Sequence, residues 1–188
     1  MVRGATLELL DITYDGVEDP VTGFLRGGLG QLVDGKYGSE DFRAFGENGV
    51  IRGNAFTLKL ENLYTSLNIY PFPGYEWVGW KNKSMGPLQM DFTFKSIRKF
   101  KTVLIHINNH YTRDIQIFSR AKIYFSNEEG KFGDDRAVDY LYMPDAMVED
   151  ARNVSINLHE EHGKYVMIQL FFAAKWMLIS EISFISGK

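Results

Sequence analysis

One acid inside an apolar strand is the first residue whose chemistry matters. In Trp176-Met177-Leu178-Ile179-Ser180-Glu181-Ile182-Ser183-Phe184-Ile185-Ser186, Glu181 is the single carboxylate of a run that otherwise reads as a buried strand. Burying a carboxylate is expensive unless it is paired or binds a metal. A second acid sits far away in sequence, in the glycine-rich turn Gly27-Gly28-Leu29-Gly30-Gln31-Leu32-Val33-Asp34-Gly35. Glycines free nearby carbonyls to turn inward, and calcium takes six to eight oxygens from carboxylates, amides and main-chain carbonyls. An acidic turn near one end of the chain and an acidic strand near the other therefore point to a calcium clasp. The spacing is equally compatible with a plain Asp-Gly turn and a strand Glu paired with Arg or Lys.

Other reactive residues lead nowhere. His159-Glu160-Glu161-His162 has the wrong spacing for H-E-x-x-H. Gly163 follows, so the segment reads as a solvated strand-to-strand turn. His106 and His110 share a strand face but sit too far apart to chelate one ion easily. Ser180 lies in a strand with no nucleophile elbow, and neither a P-loop nor a G-x-G-x-x-G is present. There is no cysteine to act as nucleophile, so no enzyme motif is expected.

The elements that must position these residues are strands. Leu88–Phe94 alternates apolar and polar residues without a break, the period of a strand with one buried face. Val103, Ile105 and Ile107 continue the pattern against Thr102, His106 and Asn108. Ile115–Phe125, Val154–Leu158, Tyr165–Phe172 and Trp176–Ile185 complete the set. No helical stripe runs longer than two turns. Many short strands with Gly and Asn turns predict an all-β sandwich or jelly roll with long surface loops. Loops are expected at Asn127–Asp135 and Pro144–Asn153, and a surface insertion at 43–70 holds one possible strand, Phe56–Leu60.

Composition bounds the rest. The 188 residues, 45% of them hydrophobic, suit a single domain with a sizeable core spanning about 7–186. A net charge of −3 with interspersed signs gives no basic face for nucleic acid. The apolar stretch near 170–179 is broken by Lys175 and too short to span a bilayer, so no membrane insertion is expected. No charged-then-apolar leader opens the sequence, so a signal peptide is not expected within it. The absence of cysteine leans cytosolic, whereas the sequons at Asn82 and Asn153 lean towards secretion.

Five ordered blocks decide between these leanings. They are Gly27–Gly35, Pro73-Gly74-Tyr75-Glu76-Trp77-Val78-Gly79-Trp80, His106-Ile107-Asn108-Asn109, Phe171-Phe172-Ala173 with Trp176, and Ser180-Glu181-Ile182-Ser183-Phe184. With Thr13-Tyr14-Asp15-Gly16, they resemble the second, discoidin-like domain of the discoidin domain receptors, which are collagen-activated receptor tyrosine kinases. The resemblance runs from about Leu7 to Ser186. It implies a discoidin-type jelly-roll sandwich of about eight strands with a bound calcium, in the extracellular part of a plasma-membrane receptor. The implied ligands are the side chains of Gln31 and Asp34, main-chain oxygens of Lys36, Tyr75 and Trp77, and Ser180 with the Glu181 carboxylate. Collagen would be a partner of the parent receptor, through a separate first discoidin domain. This domain would serve a structural and regulatory role, with receptor self-association as a further partner.

Three departures from the family pattern follow from the same resemblance. Leu10 stands where an Asn ligand is implied. Ile107 and Ile168 stand at an implied disulfide, a cross-link worth about 2–4 kcal/mol. The 43–70 insertion is longer than the family's loop. The alternative reading is an independent collagen- or glycan-binding jelly roll that uses aromatic loop tips: Tyr70, Phe72, Tyr75, Trp77, Tyr140 and Tyr142.

Overall fold

Apolar alternation builds two strands long enough to serve two layers. The computed structural model describes residues 9–10, 17–18, 25–26, 30–33, 35, 37–38, 40, 77–82 and 86–187. The strands are β1 (Leu9–Leu10), β2 (Val17–Glu18), β3 (Leu25–Arg26), β4 (Val78–Lys81), β5 (Leu88–Asn109), β6 (Arg120–Ser126), β7 (Val138–Leu141), β8 (Asp150–Phe171) and β9 (Trp176–Gly187). A 3-10 helix, Gly30–Val33, precedes β4. The main sheet is antiparallel in the order β4-β9-β5-β8-β6-β7, with β1 added against β5, while β2 and β3 pair separately. Among the described residues there is no α-helix.

β5 and β8 each run 22 residues. Their first-to-last register is broken between Thr93 and Arg98 and again between Phe100 and Thr102. Lys101 is the extra residue of β5 against β9, whereas against β8 the surplus lies on β8, where His159 and Glu160 adopt positive φ angles of 52° and 61°. Bulges of this kind bend a strand and raise its twist. The early half of β5 thus lies between β1 and the late half of β8, and the late half lies between β9 and the early half of β8.

The bends bring the two halves face to face, and aromatic rings fill the space. Phe184 on β9 meets Phe92 and Phe94 from the early half of β5 at ring-centroid distances of 5.2 and 5.4 Å, and Phe100 at 5.7 Å. Phe94 and Phe100 lie 4.7 Å apart, edge to face. Such pairs add about 0.5–1.5 kcal/mol beyond area burial. Ile107 and Ile168, at the implied disulfide positions, are both fully buried in this core.

His159–His162 is a bend inside one continuous strand, so Val154–Leu158 and Tyr165–Phe172 are halves of β8 rather than two strands. A hairpin would expose the ladder ends, whereas two αL residues let β8 turn and stay paired with β5. Ile115 makes only isolated bridges, to His110 and to Trp176, because the 3-10 turn Tyr111–Arg113 intervenes and the strand begins at Arg120. The loop expected at Pro144–Asn153 ends at Asp150, where β8 starts. The insertion at 43–70, with Phe56–Leu60, lies outside the described residues.

The loop between β7 and β8 is held by buried polar anchors. Asn109 Nδ2 donates to the carbonyls of Asp145 and Val148, both at 2.8 Å. Arg152 Nη1 binds Asp145 Oδ2 at 2.6 Å. That guanidinium, with the backbone N–H groups of Met147 and Val148, holds the Asp145 carboxyl below the usual carboxylate range. Leu141, Met143 and Met147 nevertheless project into solvent. Asn109→Ala is expected to speed amide hydrogen exchange across 145–148 by about tenfold or more while β5 and β8 stay protected. Unchanged exchange there would remove Asn109 as the anchor.

Candidate metal centre

A bulge sets the geometry of the two terminal acids' neighbourhood. β9 pairs with β5 at Glu181↔His106 and then at Ile179↔Ile107, leaving Ser180 as the extra residue. Strand periodicity alone would send Ser180 and Glu181 to opposite faces. With the bulge, both are buried, Ser180 completely and Glu181 to 2% exposure. Bulges commonly re-aim side chains beside functional sites.

What covers them is the glycine-rich turn. The backbone N–H of Gly35 donates to Glu181 Oε2 at 3.1 Å, and that of Gly38 donates to Ser180 Oγ at 3.0 Å. His106 Nδ1 lies 2.5 Å from the same Ser180 Oγ. Burial pushes the His106 imidazole below its usual range, so the ring is neutral near pH 7. His106 Nδ1 and Ser180 Oγ share one hydrogen bond, and Ser180 Oγ also accepts the Gly38 N–H. Trp77 stacks on His106 at 5.3 Å and 26°, and Tyr37 meets the ring edge-on at 5.0 Å.

Gly38 is required by space. A Cβ built there would stand 2.3 Å from Trp77 Cε2 and 2.5 Å from its Nε1. Trp77 is fully buried, packed with Ile115 and Leu178, and has little room to yield. Gly38→Ala is therefore expected to cost about 1–3 kcal/mol by overpacking, read as a lowered urea midpoint. A midpoint equal to wild type would mean that Trp77 moves aside freely.

The expected ligand set divides as follows. Trp77, Ser180 and Glu181 come together beneath the turn. Gln31 lies in the 3-10 helix Gly30–Val33, whose Leu32 and Val33 are buried in the main core; its side chain lies outside the described residues. Asp34, Lys36 and Tyr75 lie outside them too, and Asp34 and Lys36 flank Gly35 in sequence. Among the described residues no group of three or more His, Cys, Asp or Glu could by itself hold a metal ion. Glu181 is nonetheless a hard oxygen donor, lying against Gly35, which Asp34 precedes in sequence, and that donor type fits calcium. Leu10 pairs with Thr93, on the other half of β5 from His106.

Sequence reasoning put His106 and Asn108 on the polar face of β5, and the structure buries both. The turn and Trp77 cover the second face at this end, so alternation gives way to continuous burial from Ile105 to Asn109. The signal available was the shift from charged to uncharged polar residues, Lys99 and Lys101 giving way to His106, Asn108 and Asn109. His110 lies at the strand end, 3.3 Å from Glu149 Oε2.

Comparison with known proteins resolves the family. The model of the discoidin domain-containing receptor 1/2 DS-like domain matches residues 1–58 and 57–186. The chain belongs to that family. Human epithelial discoidin domain-containing receptor 1 is 32% identical over 188 residues, covering 99% of this chain. The discoidin domain-containing receptor tyrosine kinase B of Caenorhabditis elegans is 28% identical over 181 residues, covering 94% of it. The chain spans only 18% and 19% of those two receptors' lengths. A fucose-binding module of Streptococcus pneumoniae, SpX-3, superposes with a TM-score of 0.50 at 14% identity, covering 97% of this chain and 100% of that one. That likeness is one of fold. The DS-like domain is an all-β jelly roll of discoidin type and is not a catalytic domain. Among its described residues no helix is long and apolar enough to cross a membrane.

Proposed function

We propose that this DS-like domain is a calcium-stabilised, structural and regulatory module in the extracellular part of a collagen-responsive receptor tyrosine kinase. The observation that carries the reading is the buried Glu181 carboxylate held against the Gly35 backbone N–H. A near-fully buried carboxylate at a bulge, held against Gly35 in a stretch of sequence that also carries Asp34, offers the hard oxygen donors that calcium takes. Gln31, Asp34 and Glu181 would hold the ion through side chains, with Lys36, Tyr75, Trp77 and Ser180 adding oxygen, mainly from the main chain. Calcium would supply no reaction chemistry. It would tie the turn to the last strand and shift the folding equilibrium, because a ligand that binds only the folded state adds RT ln(1 + [L]/Kd).

Collagen recognition would belong to another part of the receptor, and this domain's contribution would be rigidity and the geometry of receptor association. The glycan- or collagen-binding alternative draws on aromatic loop tips. Trp77 is fully buried, and Tyr140 and Tyr142 are half-buried against Phe118 at 6.4 and 6.0 Å, so these three have little free face to stack on a ligand. Isothermal titration of the metal-stripped domain with calcium tests the main reading, with one ion per chain expected. Immobilised collagen and a glycan array test the alternative. Saturable binding of either by the isolated domain, without calcium uptake, would overturn the proposal.

A further inference from the structure

Asn108 is an unusual residue to bury at the end of β5. It is 1% exposed, and its amide makes one protein hydrogen bond, from Nδ2 to the Glu40 carbonyl at 3.1 Å. Among the described residues its Oδ1 has no hydrogen-bond partner. An amide buried this incompletely costs stability, and an aliphatic side chain would fill the position more favourably. Something other than packing accounts for the asparagine.

The spacing of its partner shows what it does. His106 and Asn108 stand two apart on β5 and so share one face. The groups held above them belong to Gly38 and Glu40, also two apart. His106 acts through Ser180, whose Oγ takes the Gly38 N–H; Asn108 reaches the Glu40 carbonyl directly. Gly38 and Glu40 thus lie along the end of β5 and are fastened at strand spacing by side chains in place of a backbone ladder. One rung holds a donor and the next holds an acceptor, as two successive rungs of a ladder would.

We propose that Asn108 is a positioning residue of the calcium clasp: it fastens the chain at Glu40, as Ser180 and His106 fasten it at Gly38, so that Gly35 is held against Glu181. The inference rests on the calcium reading above. Asn108 itself donates no ligand. Its removal leaves the Glu40 carbonyl to water, since Glu40 is exposed, and lets the chain there swing. Calcium must then pay the ordering cost of the turn on binding, which weakens affinity.

The test is calcium titration and thermal melting of wild type, Asn108→Leu and Asn108→Ser. Leu keeps the bulk and removes the donor, and Ser is too short to reach Glu40. Both variants are expected to raise the calcium Kd about tenfold while melting in EDTA within a few degrees of wild type. A merely structural role would lower the EDTA melt and leave Kd unchanged, which overturns the inference while leaving the calcium reading standing. A wild-type domain that takes up no calcium overturns both. Failure of both variants to fold even in calcium also overturns it, because Asn108 would then be a determinant of the fold.

Discussion

Truncating Phe184 to alanine is expected to cost about 3–5 kcal/mol of unfolding free energy, in calcium and in EDTA alike. The side chain is 1% exposed and touches three other aromatic rings at 5.2–5.7 Å. Those rings come from both halves of β5, so the loss opens a cavity where the two layers meet. Since domains of this size hold only about 5–15 kcal/mol in all, the variant would sit close to unfolding. Urea melts report the effect directly. A loss below about 1 kcal/mol would mean that the layers collapse onto the gap and that the bend in β5 is softer than its bulges imply.

Glu181→Ala is expected to behave differently, losing stability only when calcium is present. At millimolar calcium and a Kd near micromolar, the linkage is worth about 4 kcal/mol. Removing the carboxylate should abolish most of that, while in EDTA the lost Gly35 hydrogen bond is offset by no longer burying an acid. The variant should therefore melt in calcium about where wild type melts in EDTA. The exposed Glu129→Ala is the control and should track wild type in both buffers. Equal calcium-dependent shifts in Glu181→Ala and wild type would remove Glu181 from the site.

The contrast between these two residues mirrors what could be read in the chain. Phe92, Phe94 and Phe184 declare themselves through alternation, because a one-residue slip would expose every one of them. The existence of strands and their apolar faces was therefore legible. Their continuity was not: nothing in His159-Glu160 marks two non-glycine αL residues that carry β8 through a bend. Glu181 stood out because an acid in an apolar run breaks the pattern. Ser180 stood beside it without a signal, since the bulge that buries both is a property of pairing with β5 and not of β9 alone. His106 and Asn108 were assigned to the solvent face because periodicity assumes one covered side. The cover comes from residues about seventy positions earlier, held by hydrogen bonds to Ser180 and Asn108. Long-range closure of this kind leaves no local trace in either segment. The ligand positions came from the family resemblance alone; of them Trp77, Ser180 and Glu181 are described, whereas Asp34, Lys36, Tyr75 and the Gln31 side chain lie outside the described residues.

The most direct measurement is a pair of thermal melts of the wild-type domain, in millimolar calcium and in EDTA, run beside Asp34→Ala. The account predicts a calcium-dependent rise of several degrees that Asp34→Ala loses. A wild-type melting temperature that is the same in calcium and EDTA would contradict it.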